Sequence, residues 1–302
     1  MQSFRLSLSW MVCLLVRLAA LAHSVRAEVG SFSSCLQFFH KRSSPHGLEG
    51  PGYSQICQRY ENTYHFASLY RKQWRTPIYS AYVFTSGGKK RSRVPWMYEP
   101  QLANSRARPE MEPIPPNMTD QNVLESQAVL QDYKNSTFTK GHLSPNSHHQ
   151  EDWDKKATFT LTNIVPQKAG SNSGPWAVLE NEVAARLTAY CTGPAYIVTG
   201  VLPYVSPHWI RNRVAVPEYL WSAYCCPSFS SNLPEPLRDT FPTFAAIGRN
   251  DRLSTQDIVP VNPKAPASTR GYDVRRMSLE TLEGYLRARL GLPVNVFLDQ
   301  CL

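Results

Sequence analysis

Four side chains in one short stretch carry the groups that hydrolytic chemistry beside a cation needs: His142, Asn163, Asn172 and Glu180. An imidazole titrates near neutral pH, so His142 suits the task of drawing a proton from water. An amide oxygen such as that of Asn172 is the hard donor a small divalent cation accepts while keeping several of its waters. A carboxylate one step removed, here Glu180, can hold those waters by hydrogen bonds. A cation so placed offsets the charge that builds on an attacked phosphate. The same residues have ordinary readings too, since a histidine ahead of a strand and an asparagine capping a helix are common structural features.

The elements that must position them are legible in outline. Residues 140–146 read KGHLSPN, and residues 157–165, ATFTLTNIV, alternate with period two and predict a strand that Pro166 ends. The run Ser171-Asn172-Ser173-Gly174-Pro175 predicts a helix start, with Asn172 as its cap and the proline in the first turn. Trp176, Leu179, Val183 and Leu187 follow at helical spacing as one buried stripe. Glu180, eight residues beyond Asn172, falls on roughly the same side of that helix, about two turns on.

Around this block, residues 77–84, 195–201, 219–225 and 244–248 read as strands and residues 277–290 as a helix. Residues 28–75 read as irregular and disulfide-tied, residues 87–93 as a basic loop, and residues 100–128 as a long surface loop. His148 and His149 read as exposed loop residues, and Trp209 and Trp221 as packing residues. The fold expected is a single α+β domain over residues 28–302, with a mixed or antiparallel central sheet flanked by helices.

The bulk properties bound the setting. Residues 1–27 read as a signal peptide: a positive start, an apolar run from Leu6 to Ala22, and small residues around Ala27. The expectation is a secreted, extracellular protein without stable membrane association. Losing Arg5, Arg17 and Arg26 with the leader leaves 29 basic residues against 23 acidic, a balance suited to a polyanionic partner. Six cysteines remain, which suggests disulfides in an oxidising compartment. Cys35 with Cys57 is the best pairing on proximity, and adjacent Cys225 and Cys226 should each reach elsewhere. No CxxC pair supports a zinc site. Asn117 and Asn135 open glycosylation sequons.

The stretch KGHLSP…TFTLTNIVPQKAGSNSGPWAVLE resembles the DNA/RNA non-specific endonuclease family, whose members carry a ββα-metal, or His-Me, finger. Lys140-Gly141-His142 matches the family's Arg-Gly-His element. Asn163 with Pro166-Gln167 matches its second element, and Asn172, Trp176, Leu179 and Glu180 match its helix. The core of the match spans about residues 138–190. The resemblance implies a Mg²⁺-dependent, or Mn²⁺-dependent, endonuclease acting on DNA and RNA substrates. His142 would be the general base, Asn172 the ligand to the cation, and Glu180 the holder of its waters. Asn163 would orient the site and Lys140 would meet the phosphate, with Arg93 or Arg91 as a further substrate contact. Two departures stand out. Thr139 and Lys140 occupy positions where the family usually has Asp and Arg, and lysine lacks the bidentate fork. Ser171 and Ser173 flank Asn172 where Leu and Gln are frequent. An alternative reading is a binding protein that keeps the fold and holds nucleic acid without cutting it.

Overall fold

The computed structural model describes residues 28–86 and 94–302. The leader and the basic loop, with Arg91 and Arg93, lie outside the described residues. In chain order the strands are β1 (Val29–Gly30), β2 (Tyr53–Tyr60), β3 (Thr63–Arg71), β4 (Thr76–Phe84), β5 (Met97–Tyr98) and β6 (Glu112–Pro113). They continue with β7 (Phe138–His142), β8 (Ile164–Lys168), β9 (Ala195–Ile210), β10 (Val214–Cys225), β11 (Thr243–Arg249) and β12 (Val274–Met277). The two long helices are α1 (Pro175–Tyr190) and α2 (Leu279–Leu290).

Eight strands form one antiparallel sheet in the order β1-β2-β3-β4-β9-β10-β11-β12. Its alternation sorts side chains into two cores. On β10, Tyr219, Trp221, Ala223 and Cys225 enter one cluster, with Leu279, Leu282 and Leu286 of α2 and the N-terminal Phe32, Phe38 and Phe39. Leu220 and Tyr224 enter the other, with Trp176, Leu179, Val183 and Leu187 of α1. The chain is α+β, with helices on both faces of the sheet, as the sequence implies.

Several expectations change. Residues 53–71 are not irregular: β2 and β3 form a hairpin across Glu61 and Asn62, whose φ values are 49° and 64°. Left-handed backbone at both central residues is what a two-residue hairpin turn needs. Flanking strands buried in mid-sheet do not show the alternation of a half-exposed strand. Residues 100–128 are not a plain surface loop, because Leu102, Met111, Ile114, Met118, Val123 and Ala128 are buried. The anticipated strand at 157–165 is largely a turn. A one-turn helix (Asp152–Ala157) and a 3₁₀ turn (Leu161–Asn163) precede β8, and Pro166 lies inside that strand. Met277 closes β12, so the C-terminal helix starts at Leu279.

Among the described residues there are three disulfides: Cys35–Cys57, as anticipated, Cys191–Cys226 and Cys225–Cys301. His40 approaches Cys225 and Cys301 closely enough for a metal trio, but both sulfurs are already bonded to each other. Among the described residues, no helix is long and apolar enough to cross a membrane.

Candidate active site

The site stands on a small second sheet of β7 and β8, in antiparallel register from Phe138↔Lys168 to His142↔Ile164. Asn250, fully buried, staples this sheet to the large one. Its Nδ2 donates to the carbonyls of Pro166 and Pro217, at 2.9 and 2.8 Å, and its Oδ1 accepts from Lys168 N. The strands β7 and β8 are joined by a long excursion, residues 143–163, and β8 runs on into a one-turn helix (Ala169–Asn172) and then α1.

Asn172 is therefore not the cap of α1. It ends the one-turn helix, and α1 begins at Pro175 with Gly174 as its cap. Gly174 lies close under the backbone, since a Cβ there would come within 2.2 Å of the Gly170 carbonyl oxygen. The backbone break at Ser173 and Gly174 cancels any argument from uninterrupted helical spacing between Asn172 and Glu180.

Alternation along β7 divides its side chains. Thr139 and Gly141 face Gln167 and Asn172. The Thr139 hydroxyl donates to Gln167 O at 2.8 Å and accepts from Asn172 Nδ2 at 3.0 Å. Gln167 is buried, and its Nε2 donates to Ser171 Oγ at 3.0 Å. Ser171, unusual for the family, thus has a use here. Lys140 and His142 leave the other face of the strand. The His142 ring lies 5.5 Å from Trp96 and meets Phe159 edge-on at the same distance. Lys140 Nζ sits 5.4 Å from the Trp96 ring and 5.6 Å from that of Tyr133. Burial lowers the pKa of the Lys140 ammonium. Trp96 has no sequence signal of its own, and its place beside both Lys140 and His142 emerges only from the fold.

Gly141 is required by Gln167. A Cβ at Gly141 would stand 2.1 Å from Gln167 Oε1 and 2.7 Å from Gln167 Cβ. Gly141→Ala is expected to destabilise the chain by about 2 kcal/mol, the usual scale of overpacking, and to break the bond to Ser171. Denaturant unfolding checks it, and an unchanged midpoint and slope would rule the steric argument out.

Asn163 is fully buried, with all its amide capacity used. Oδ1 accepts from Ser80 Oγ and Ser144 N, both at 2.9 Å, and Nδ2 donates to the carbonyls of Ser144 and Thr158, both at 3.0 Å. Its own carbonyl accepts from Leu143 N. It grips the two residues after His142.

Glu180 lines a cavity of about 10 Å³ with Tyr82, His148, Thr199 and Ser222. That is room for about one water. Burial pushes its carboxyl up to about 8, with the Trp176 indole opposing. A cation nearby would pull it back down.

His148 and His149 are not exposed: each is 2% accessible. His148 bridges the Tyr82 hydroxyl and the Glu180 carbonyl, both at 2.9 Å, while His149 meets Ser144 Oγ at 2.8 Å. Burial holds His148 down at about 4, and burial with the charge of neighbouring His148 holds His149 low as well. A depressed histidine contributes stability above its unfolded value near 6.5, and that contribution is lost as pH falls towards 4. Glu180, protonated more readily when folded, works in the opposite direction. The clean measure is thus a difference. The unfolding free energy of the native chain minus that of His148→Gln should shrink by about 2 kcal/mol between pH 7 and pH 5. A pH-independent difference would mean that His148 takes up its proton in the folded state.

A two-strand sheet followed by a helix, stapled to a large antiparallel sheet, thus carries the KGH and N-x-x-x-W-x-x-L-E elements. The chain belongs to the DNA/RNA non-specific endonuclease family, whose model matches residues 45–285. It is 34% identical over 210 residues to Endonuclease domain-containing 1 protein of Homo sapiens, covering 67% of this chain and 40% of that protein. The Mus musculus counterpart is 31% identical over 222 residues, 69% of this chain and 43% of that protein. The match therefore covers less than half the length of these relatives. Endonuclease G, mitochondrial, of Homo sapiens is 33% identical over 107 residues, covering 32% of this chain and 35% of that protein. A chain from a solved EndoG/EndoGI complex aligns over 89% of this chain and 91% of its own length, with TM-score 0.49 and 18% identity.

Proposed function

We propose that this chain is a metal-dependent endonuclease hydrolysing phosphodiester bonds in DNA and RNA with little sequence preference. The observation that carries the reading is the hydrogen-bonded tie from the His142 strand to Asn172 through Thr139 and Gln167. It supports the reading because the strand that ends in the candidate base is bonded directly to the candidate ligand.

The donor set fits a hard cation: Asn172 is partly accessible and its nitrogen is engaged, which leaves its oxygen to coordinate. Asn172 would hold Mg²⁺ or Mn²⁺, and Glu180 would steady its waters. When bound, such a cation supplies positive charge beside the scissile phosphate. His142, walled by Trp96 and Phe159, takes the proton of the attacking water. Lys140 brings a cation to the phosphate, and Arg91 and Arg93 are further candidates for substrate contact. Asn163 keeps the chain after His142 in place.

The leader, the three disulfides and the exposed sequon residues Asn117 and Asn135 support a secreted, glycosylated protein. Purified, disulfide-intact protein is expected to nick plasmid and degrade single-stranded RNA in Mg²⁺ or Mn²⁺, and to stop on chelation. Failure to cut with either metal would overturn the reading. One observation favours the alternative of a non-cutting binder: Lys140 is half-buried among Trp96 and Tyr133, which restricts its reach to a phosphate. That alternative expects salt-sensitive binding without turnover.

A further inference from the structure

We infer that Thr139 is a positioning residue that fixes which way the Asn172 amide faces and so presents its oxygen as the cation ligand. The inference rests on the reading of Asn172 given above.

A threonine hydroxyl has one proton to give. Thr139 gives it to the Gln167 carbonyl, at 2.8 Å, which can only accept. Towards Asn172 the hydroxyl can then only accept, so the amide must present its NH₂, which it does at 3.0 Å. The flipped amide would set two acceptor oxygens against each other. Asn172 Oδ1 is thereby kept off the Thr139 hydroxyl, on the side of the amide that a cation would use.

The Gln167 carbonyl is itself held. Gln167 pairs with Thr139 in register, its side chain is wedged against Gly141, and its Nε2 is bound to Ser171. The chain of partners from Gly141 through Gln167 to Thr139 ends on the Asn172 amide. Thr139 stands where the family resemblance leads one to expect a carboxylate. An ionised carboxylate is also acceptor-only, so threonine with its proton already committed offers the same polarity to Asn172 without a charge.

The test is Mn²⁺ affinity, read by electron paramagnetic resonance titration of the full chain, beside nucleic-acid cleavage and thermal melting. Thr139→Val keeps the shape and removes the acceptor. It is expected to weaken Mn²⁺ binding by about 10- to 100-fold, the usual effect of losing a partner of a metal ligand, with little change in melting. Thr139→Ser, which keeps both the proton for Gln167 O and the acceptor for Asn172, should stay within about threefold of the native chain on the same scale. Asn172→Ala is the reference. If Asn172→Ala weakens Mn²⁺ binding and Thr139→Val does not, the role given to Thr139 falls and the ligand reading stands. If Asn172→Ala binds Mn²⁺ as tightly as the native chain, the ligand reading falls first. Should the serine variant weaken as much as valine, acceptance of the amide proton is not the cause and the inference is overturned. If the valine variant does not fold, Thr139→Ala is read by the same criteria.

Discussion

Replacing His142 with alanine is expected to slow nucleic-acid hydrolysis by about two to four orders of magnitude while nucleic acid still binds. The imidazole closes β7, opposite Ile164, and its ring is confined between Trp96 and Phe159. Confinement fixes the direction in which its nitrogens point and reduces the cost of ordering the base for each turnover. The substitution removes the proton acceptor and leaves Lys140 and Asn172 in place, so binding and rate should separate. Filter binding in chelator, beside plasmid cleavage in Mg²⁺, distinguishes them. A His142→Ala protein that cuts at the native rate would show that the base lies elsewhere.

The second large effect is expected at Asn163. Truncation to alanine leaves Ser144 N and the carbonyls of Ser144 and Thr158 without this partner inside the core, while the Ser80 hydroxyl keeps Ser68. Buried polar groups left unpaired cost about 1–3 kcal/mol each before relaxation, so a loss of about 4 kcal/mol is expected. Asn163→Asp is a sharper probe of the same network. It keeps the shape but turns an oxygen towards two carbonyl oxygens, so it should destabilise at neutral pH by a similar amount. Cleavage should fall along with stability, because Ser144 and Leu143 are the residues that leave His142. A stable Asn163→Ala protein with abolished cleavage would instead place Asn163 in contact with substrate.

How much of this was legible in the chain depends on how local the signal is. The α1 stripe of Trp176, Leu179, Val183 and Leu187 was readable because a helix repeats its own pattern, and all four are buried. The KGH and N-x-x-x-W-x-x-L-E elements were readable as motifs, and they led to the family. The exact role of Asn172 in the backbone was not, because a short helix, a break and a proline start look like one cap in sequence. The burial of His148 and His149 was also hidden. Their polar neighbours suggest a loop, yet the residues that cover them, such as Tyr82, come from a distant strand. The strand at 157–165 failed for a related reason. Thr160 and Thr162 alternate as strand residues would, but both hydroxyls instead donate to the buried Glu99 carboxyl across the fold. The division of β7 into a Thr139 side and a His142 side follows from the pleat alone, but its chemical meaning needed Gln167 and Trp96 in place.

Adjacent Cys225 and Cys226 point to opposite sides of the sheet, and each is bonded on its own side, to Cys301 and to Cys191 respectively. Exchanging the two partners would require a sulfur to pass through a hydrogen-bonded strand. Oxidation of this chain is therefore proofread by the pleat itself: once β10 has joined its neighbours, two thiols one residue apart can no longer be confused.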